Sequence, residues 1–176
     1  KDIYEISHGD HKLYEVIRAE TISDFSKTTP CSISYFEELD KLPDVRVLKY
    51  PQPFNYSAIN NFGVEHAKGS LVALINNDIE VIAPEWLTYM VGHAQRENVG
   101  CVGAKLIYSD TRIQHAGVVL GYGGGAGHAH KNFPRLHTGY LNRINATSNY
   151  SAVTAACLVV KKTHFNTVNG LNEDLA

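Results

Sequence analysis

The chain has 176 residues, of which 44% are hydrophobic and 19% charged, with a formal net charge of -2. That length and balance suit one globular domain with a sizeable core and exclude a disordered or fibrous chain. The near-neutral charge and the scatter of basic residues exclude a general attraction for nucleic acid or acidic membranes.

Cys31, Cys101 and Cys157 are widely spaced, and the last two lie in apolar runs where a free thiol packs as a small hydrophobe. The pattern predicts a reducing cytoplasm rather than a disulfide framework. No apolar run approaches the roughly 20 residues that span a bilayer, and the opening KDIYEISHGD lacks a signal-peptide core. The missing initiator Met and the ending NEDLA lead us to expect a piece of a longer polypeptide.

Residues 1–30 show no clear period, and only YEVIRAETI suggests an element there, a helix. From Ser32 onward, Ile33, Phe36, Leu39 and Leu42 recur at helical spacing until Pro43. VRVLKY follows as a short strand. PFNYSAINNFGVEHAKG predicts a helix capped by Asn55 or Ser57, with Ala58, Ile59, Phe62 and Ala67 on one side and Gly69 at its end. SLVALI is a continuous apolar run of strand length, as in a central strand covered on both faces. APEWLTYMVGHAQRE starts a helix at Pro84 and carries Trp86, Leu87, Met90 and Val91 on one face. VGCVGAKLI and IQHAGVVLGY predict two strands, SAVTAACLVVKK another, and THFNTVNGLNEDLA a short helix with a glycine stop. Residues 121–149, rich in Gly, His and Asn and poor in aliphatics, predict a long functional loop or mobile lid. Alternating helices and strands predict an α/β domain of crossover units in a mostly parallel sheet, spanning residues 1–176 without a linker.

In such a sheet, ligands bind beyond the carboxyl ends of the strands, which is where Asn76, Asn77, Asp78 and Glu80 follow LVALI. Continued extended geometry would set Asn76, Asp78 and Glu80 on one side as hard oxygen ligands for Mg2+ or Mn2+. On spacing alone a plain turn is favoured, because Asn and Asp stabilise turns through local hydrogen bonds. His128 and His130 are spaced to hold one ion jointly, or are solvated loop residues. His115 reads as a core histidine or a support for a neighbouring group, and Lys131 and Arg135 as solvated cations or phosphate contacts. The run GYGGGAG forms neither a P-loop nor a dinucleotide fingerprint.

From roughly Pro51 onward, five segments occur in family order: FNYSAINNFGVEHAKGSLVALINNDIEV, PEWL, IQHAGVVLG, GHAHK, and SAVTAACLVVKK with VNGLNED. Together they resemble the family 2 glycosyltransferases of the bacterial surface-polysaccharide branch. The resemblance implies a GT-A fold, a nucleotide-sugar donor, a saccharide or lipid-linked saccharide acceptor, inversion, and Mg2+ or Mn2+. It places the domain in the cytoplasm, with the inner face of the membrane as an alternative. It further implies donor-binding roles for Asn60, Asn61, Lys68, Asn76, Asn77 and Asp78. Asp78 occupies the last acidic place of the D-x-D motif, and Asn76 puts an amide where the first carboxylate stands. Asn60 stands in place of an arginine. Glu80, His128 or His130 would complete the metal shell.

Two features of the family are not recognised in this sequence. Its opening strands, which end in a Pro-Thr turn and a base-reading aspartate, find no match in Lys1 to Pro30. Its general base lies in an acidic pair beyond the segment matched by GLNE, leaving Glu173 and Asp174 as early-placed candidates. The domain is therefore expected to be truncated at both ends. The alternatives are a non-catalytic nucleotide- or sugar-binding module, favoured by the amide at Asn76, and a histidine-dependent metal protein built on GHAHK.

Overall fold

The computed structural model describes residues 2–6, 15–21 and 30–175, with side chains from Ser34 onward. The chain forms β1 (Asp2–Ile6), β2 (Glu15–Thr21), α1 (Pro30–Leu39), β3 (Val45–Tyr50), α2 (Tyr56–His66), β4 (Leu71–Ile75) and α3 (Trp86–Ala94). There follow β5 (Cys101–Gly103), β6 (Leu106–Ile107), β7 (Ile113–His115), β8 (Val118–Leu120), β9 (Ala126–His128), β10 (Cys157–Lys161) and α4 (Lys162–Thr167).

Among the described residues, six strands make one sheet in the order β3-β2-β1-β4-β10-β5. Only β2 and β3 pair in parallel; β1 runs against β2 and β4, and β10 runs against β4 and β5. The sheet is therefore mixed, not mostly parallel as the sequence led us to expect. Chain length explains one inversion, since residues 7–14 are too few for the dozen or more a parallel crossover needs. The other lies at β10, which runs against both of its neighbours although the connection from β5 is long enough for either direction. The expected crossovers survive underneath this interleaving. The pairings leave β2, β3, β4 and β5 pointing the same way, with α2 and α3 carrying the chain from β3 to β4 and from β4 to β5.

The opening segment also departs from expectation. Residues 15–21 are a strand where the sequence suggested a helix, because EVIRAET has a partner on each side: Ile17 faces Ile3 of β1 and Arg46 of β3. Strands β1 and β2 thus lie in the opening stretch where the sequence showed no clear period.

Two apolar layers cover β4 and β10. On one face, Val72, Leu74, Leu158 and Val160 pack with Val64 of α2, Ala67 and Phe165 of α4. On the other, Leu71, Ala73, Ile75, Cys157 and Val159 pack with Met90 and Ala94 of α3 and with Leu106. The period-2 alternation of a strand buried on both sides sends alternate residues of LVALI into different cores. Trp86, Leu87 and Val91 join the second layer, as the helical spacing predicted. Cys157 is buried, which pushes its thiol up to about 11. Cys101 is exposed on the terminal strand β5, so it does not pack inward as expected.

The two strands expected in VGCVGAKLI and IQHAGVVLGY are each broken in two. Gly117 adopts a left-handed φ of +108°, which separates β7 from β8, and any side chain there would collide with the Tyr150 ring. The freed pieces build two small antiparallel pairs, β6 with β7 and β8 with β9. Residues 126–128 of the expected loop are therefore hydrogen-bonded strand. No helix among the described residues is long and apolar enough to cross a membrane.

Leu74 is fully buried between β10 and the α2–α4 layer. Leu74→Ala should cost about 2–5 kcal/mol of stability through lost burial and a residual cavity, read as a lowered urea midpoint with an unchanged m-value.

Candidate functional site at the carboxyl edge of β4

β4 ends at Ile75, and the next residues turn rather than extend. The Asn76 N–H donates to the Ala156 carbonyl at 2.8 Å, extending the ladder by one bond, while Asn77 and Asp78 form a turn closed by the Ile79 N–H on the Asn76 carbonyl at 3.4 Å. The expectation that Asn76, Asp78 and Glu80 alternate along a strand is thereby corrected, because the partner strand β10 reaches no further than Ile75. Asn77, Asp78 and Glu80 are exposed, and Asn76 is half-buried. The Asn76 Oδ1 is itself buried and has no hydrogen-bond partner. A buried acceptor without a donor carries a desolvation cost that a ligand or cation would relieve.

The amino end of α2 meets the same edge. Asn55 caps the helix by accepting from the Ala58 N–H at 2.9 Å, which selects it over Ser57. The Tyr56 hydroxyl donates to the Ala155 carbonyl at 3.1 Å, next to the Ala156 that pairs with Asn76. One turn along α2, Asn60 is 1% exposed; its amide donates to the Tyr56 carbonyl at 2.5 Å, and its Oδ1 is a second buried acceptor without a partner. Both orphaned amide oxygens thus belong to elements that converge on residues 155–156.

Asn61 has a different task. Its Nδ2 donates to the Leu171 carbonyl at 2.9 Å and to the Glu173 carboxylate at 2.8 Å, and its Oδ1 accepts from the Leu171 N–H at 2.8 Å. Both amide hydrogens are committed to tying α2 to the segment after α4. The Glu173 carbonyl also accepts from Asn55 Nδ2 at 2.8 Å, so this candidate base is pinned against α2. Asp174 is exposed, and its backbone N–H bonds Asn172 Oδ1 at 3.0 Å. Lys68 is exposed and precedes β4, whereas Asn76 follows it; the five residues between those ends set them roughly 17 Å apart. The strand therefore separates Lys68 from Asn76.

The histidines of GHAHK face different partners. His128 Nδ1 lies 2.9 Å from Nδ1 of His115, with the rings edge to face at 5.0 Å. His130 takes a left-handed φ of +57°, stacks its ring edge-on to Phe133 at 5.6 Å, and has a buried Nδ1 without a partner. The left-handed residue ends the strand-like run, and each ring has a different aromatic neighbour. Among the described residues, no three His, Cys, Asp or Glu gather in a group that could hold a metal. Glu80 and the two histidines thus do not form a ready-made cage with Asp78. Asp78, exposed in the turn, could offer its carboxylate to a hard cation that keeps part of its hydration shell, whereas the Asn76 Oδ1 is shielded from water.

His115 was readable only as a core or supporting residue, and its chemistry is now explicit. It is 1% exposed, and its Nε2 accepts from the backbone N–H groups of Gly117 at 3.3 Å and Thr154 at 3.4 Å. Two donors aimed at Nε2 leave the proton on Nδ1, which then donates to His128 Nδ1. His128 consequently carries its proton on Nε2 and has no free nitrogen lone pair for a metal. Burial, and then the neighbouring His128, lower the His115 pKa from 6.5 to about 4. Between those values the unfolded chain binds a proton that the folded chain refuses, so stability is lost as pH falls from about 6.5 towards about 4. The slope attributable to this residue is at most about 1.4 kcal/mol per pH unit. His115→Gln should flatten that part of the profile, measured as urea midpoints at successive pH values.

Residues 10–158 match the profile described as "Glycosyl transferase family 2". The chain is 61% identical over 129 residues, 73% of its length, to "Uncharacterized protein y4gI" of Sinorhizobium fredii (strain NBRC 101917 / NGR234). It is 40% identical over 144 residues, 78% of its length, to "O-antigen biosynthesis protein RfbC" of Myxococcus xanthus. These matches span only 14% and 11% of the two relatives. No solved structure matches. With the profile covering most of the chain and the polar cluster at the end of β4, the chain belongs to glycosyl transferase family 2.

Proposed function

We propose that this chain binds a nucleotide-diphosphate sugar at the carboxyl edge of β4 and serves transfer of that sugar, with inversion, to a saccharide acceptor in polysaccharide biosynthesis. Family membership supports the glycosyl-transfer chemistry, and the relative named for O-antigen biosynthesis supports the polysaccharide setting. The observation that carries the reading is the orphaned Asn76 Oδ1, buried beside the exposed turn that presents Asp78.

The division of labour follows from those environments. A divalent ion, Mg2+ or Mn2+, would supply charge neutralisation for the leaving diphosphate. Asp78 offers the one carboxylate of the motif, and Asn76 a neutral oxygen held in place by its backbone bond to Ala156. Asn77 stands beside them in the turn, exposed, and would contact the donor there. Asn60 adds an unpartnered acceptor from α2 that suits a hydroxyl or amide donor of the nucleotide sugar. An amide in place of a carboxylate lowers the affinity for the ion, so much of the binding free energy falls to the phosphates. The same substitution favours a second reading, a nucleotide-sugar-binding module without turnover.

Calorimetry with nucleoside diphosphates and Mn2+ distinguishes these cases when combined with an assay of sugar transfer. Asp78→Ala should abolish Mn2+-dependent binding while leaving the fold intact, and Asn76→Asp should tighten it by restoring the second carboxylate. Unchanged affinity in Asp78→Ala would refute the site. Binding without transfer to any saccharide acceptor would select the non-catalytic module.

A further inference from the structure

A cavity lies between β8 and the segment that returns to β10, with no residue of the β4 edge in its lining. It has a volume of about 640 Å3 and is bordered by Val118 and Val119 of β8, His130, Tyr140, Arg143 and Tyr150. This size falls within the range of sites for small organic ligands. Its chemistry is one-sided: two valines give an apolar floor, two tyrosines give rings with polar tips, and no Asp or Glu is among the lining residues. Arg143 is exposed and has no ion-pair partner among the described residues. His130 borders the same wall.

The backbone around the cavity is built at a cost. Left-handed φ values at His130 (+57°), Asn132 (+67°), Leu141 (+48°) and Asn142 (+62°) cluster in the segments that present His130, Tyr140 and Arg143. Such conformations are unfavourable for residues with side chains and persist where the surroundings hold them. Those surroundings are visible. Gly139, at φ +69°, gives room to the buried Ile144, against which a Cβ would press at 2.7 Å. Gly117 gives room to the Tyr150 ring in the same way. Gly117 and Gly139 thus fix how Tyr150 and Ile144 pack beside the cavity.

We propose that this cleft binds a saccharide unit bearing an anionic group, a carboxylate or a phosphate, which Arg143 engages through its guanidinium fork while Tyr140 and Tyr150 lie against the sugar. A guanidinium matches either oxyanion bidentately, and a cavity without carboxylates imposes no repulsion on it. The ordered strap 151–156 links this cleft to the β4 edge: the Val118 N–H bonds the Ala152 carbonyl at 3.0 Å, and Asn76 bonds Ala156. That path spans at most about 18 Å from Ser151 to Ala156, a short saccharide's length. The inference rests on the proposed function only in taking this saccharide to be the acceptor; the binding itself does not.

The test is titration of the 176-residue chain with methyl glucuronide, glucose 6-phosphate, methyl glucoside and inorganic phosphate, followed by calorimetry and by amide chemical shifts at residues lining the cleft. At least one of the two anionic sugars should bind at least about tenfold more tightly than the neutral one, as one charge-assisted pair implies. The tighter of the two identifies carboxylate or phosphate as the group. Arg143→Gln should erase the preference without changing the circular dichroism, and Gly117→Ala, by displacing Tyr150, should weaken all three sugars. Equal affinity for neutral and anionic sugars, a preference that survives Arg143→Gln, or no saturable binding of an anionic sugar would overturn the proposal. So would inorganic phosphate binding as tightly as the sugars. A nucleoside diphosphate with Mn2+ is titrated in parallel: loss of that binding alone refutes the proposed function, and loss of anionic-sugar binding alone refutes this cleft.

Discussion

The antiparallel ladder between β4 and β10 is the constraint on which the rest of the molecule depends. Val72, Ala73, Leu74 and Val159 in that ladder are fully buried, and each face of it is the floor of a separate apolar layer. The register that sets Cys157 opposite Ile75 also brings Ala156 to Asn76, so packing of the core determines where the polar turn begins. The strap that feeds β10 then serves three neighbours in succession. Thr154 bonds His115, Ala155 accepts from Tyr56, and Ala156 accepts from Asn76. A shift of this ladder would disturb the buried histidine, the amino end of α2 and the candidate site together.

Much of this was legible because burial leaves a strong imprint on sequence. LVALI read as an interior strand, and the abrupt change to Asn76, Asn77 and Asp78 marked where it stops. The apolar spacing of Trp86, Leu87, Met90 and Val91 likewise identified the inner face of α3. Direction was less legible: period-2 patterning says which residues point inward, but it is the same for parallel and antiparallel neighbours. Residues 15–21 were misread for a related reason, since Arg18 and Glu20 interrupt the apolar pattern and the strand is defined by partners distant in sequence.

Site residues divide along the same line. The position of Asn76 and Asp78 was legible because they directly follow a recognisable strand. That of Lys68 was not, because adjacency in the sequence hides the fact that β4 lies between it and Asn76. Asn61 belongs to a motif implying ligand contact, yet its amide is used to hold Leu171 and Glu173. His115 and His128 are 13 residues apart, and nothing in that spacing announces a nitrogen-to-nitrogen bond; it arises because Gly117 breaks the strand and folds β9 back. No residue pattern in the sequence signalled the Arg143 cleft either, since its walls come from left-handed turns whose conformations side-chain identity does not disclose.

The Asn61 clamp closes over a sequence separation of 110 residues, and the central ladder joins residues more than eighty positions apart by their numbering. Such contacts return no free energy until a long loop has been closed, which slows folding of chains dominated by them. During synthesis, β4 emerges well before β10 and the Leu171 segment, so a ribosome-bound chain carries a strongly apolar strand whose pairing edge is open. That interval is when the sequence is most exposed to aggregation and to capture by chaperones. Completion of the carboxyl edge, and with it the orphaned oxygen of Asn76, is therefore a late event in the life of the nascent chain.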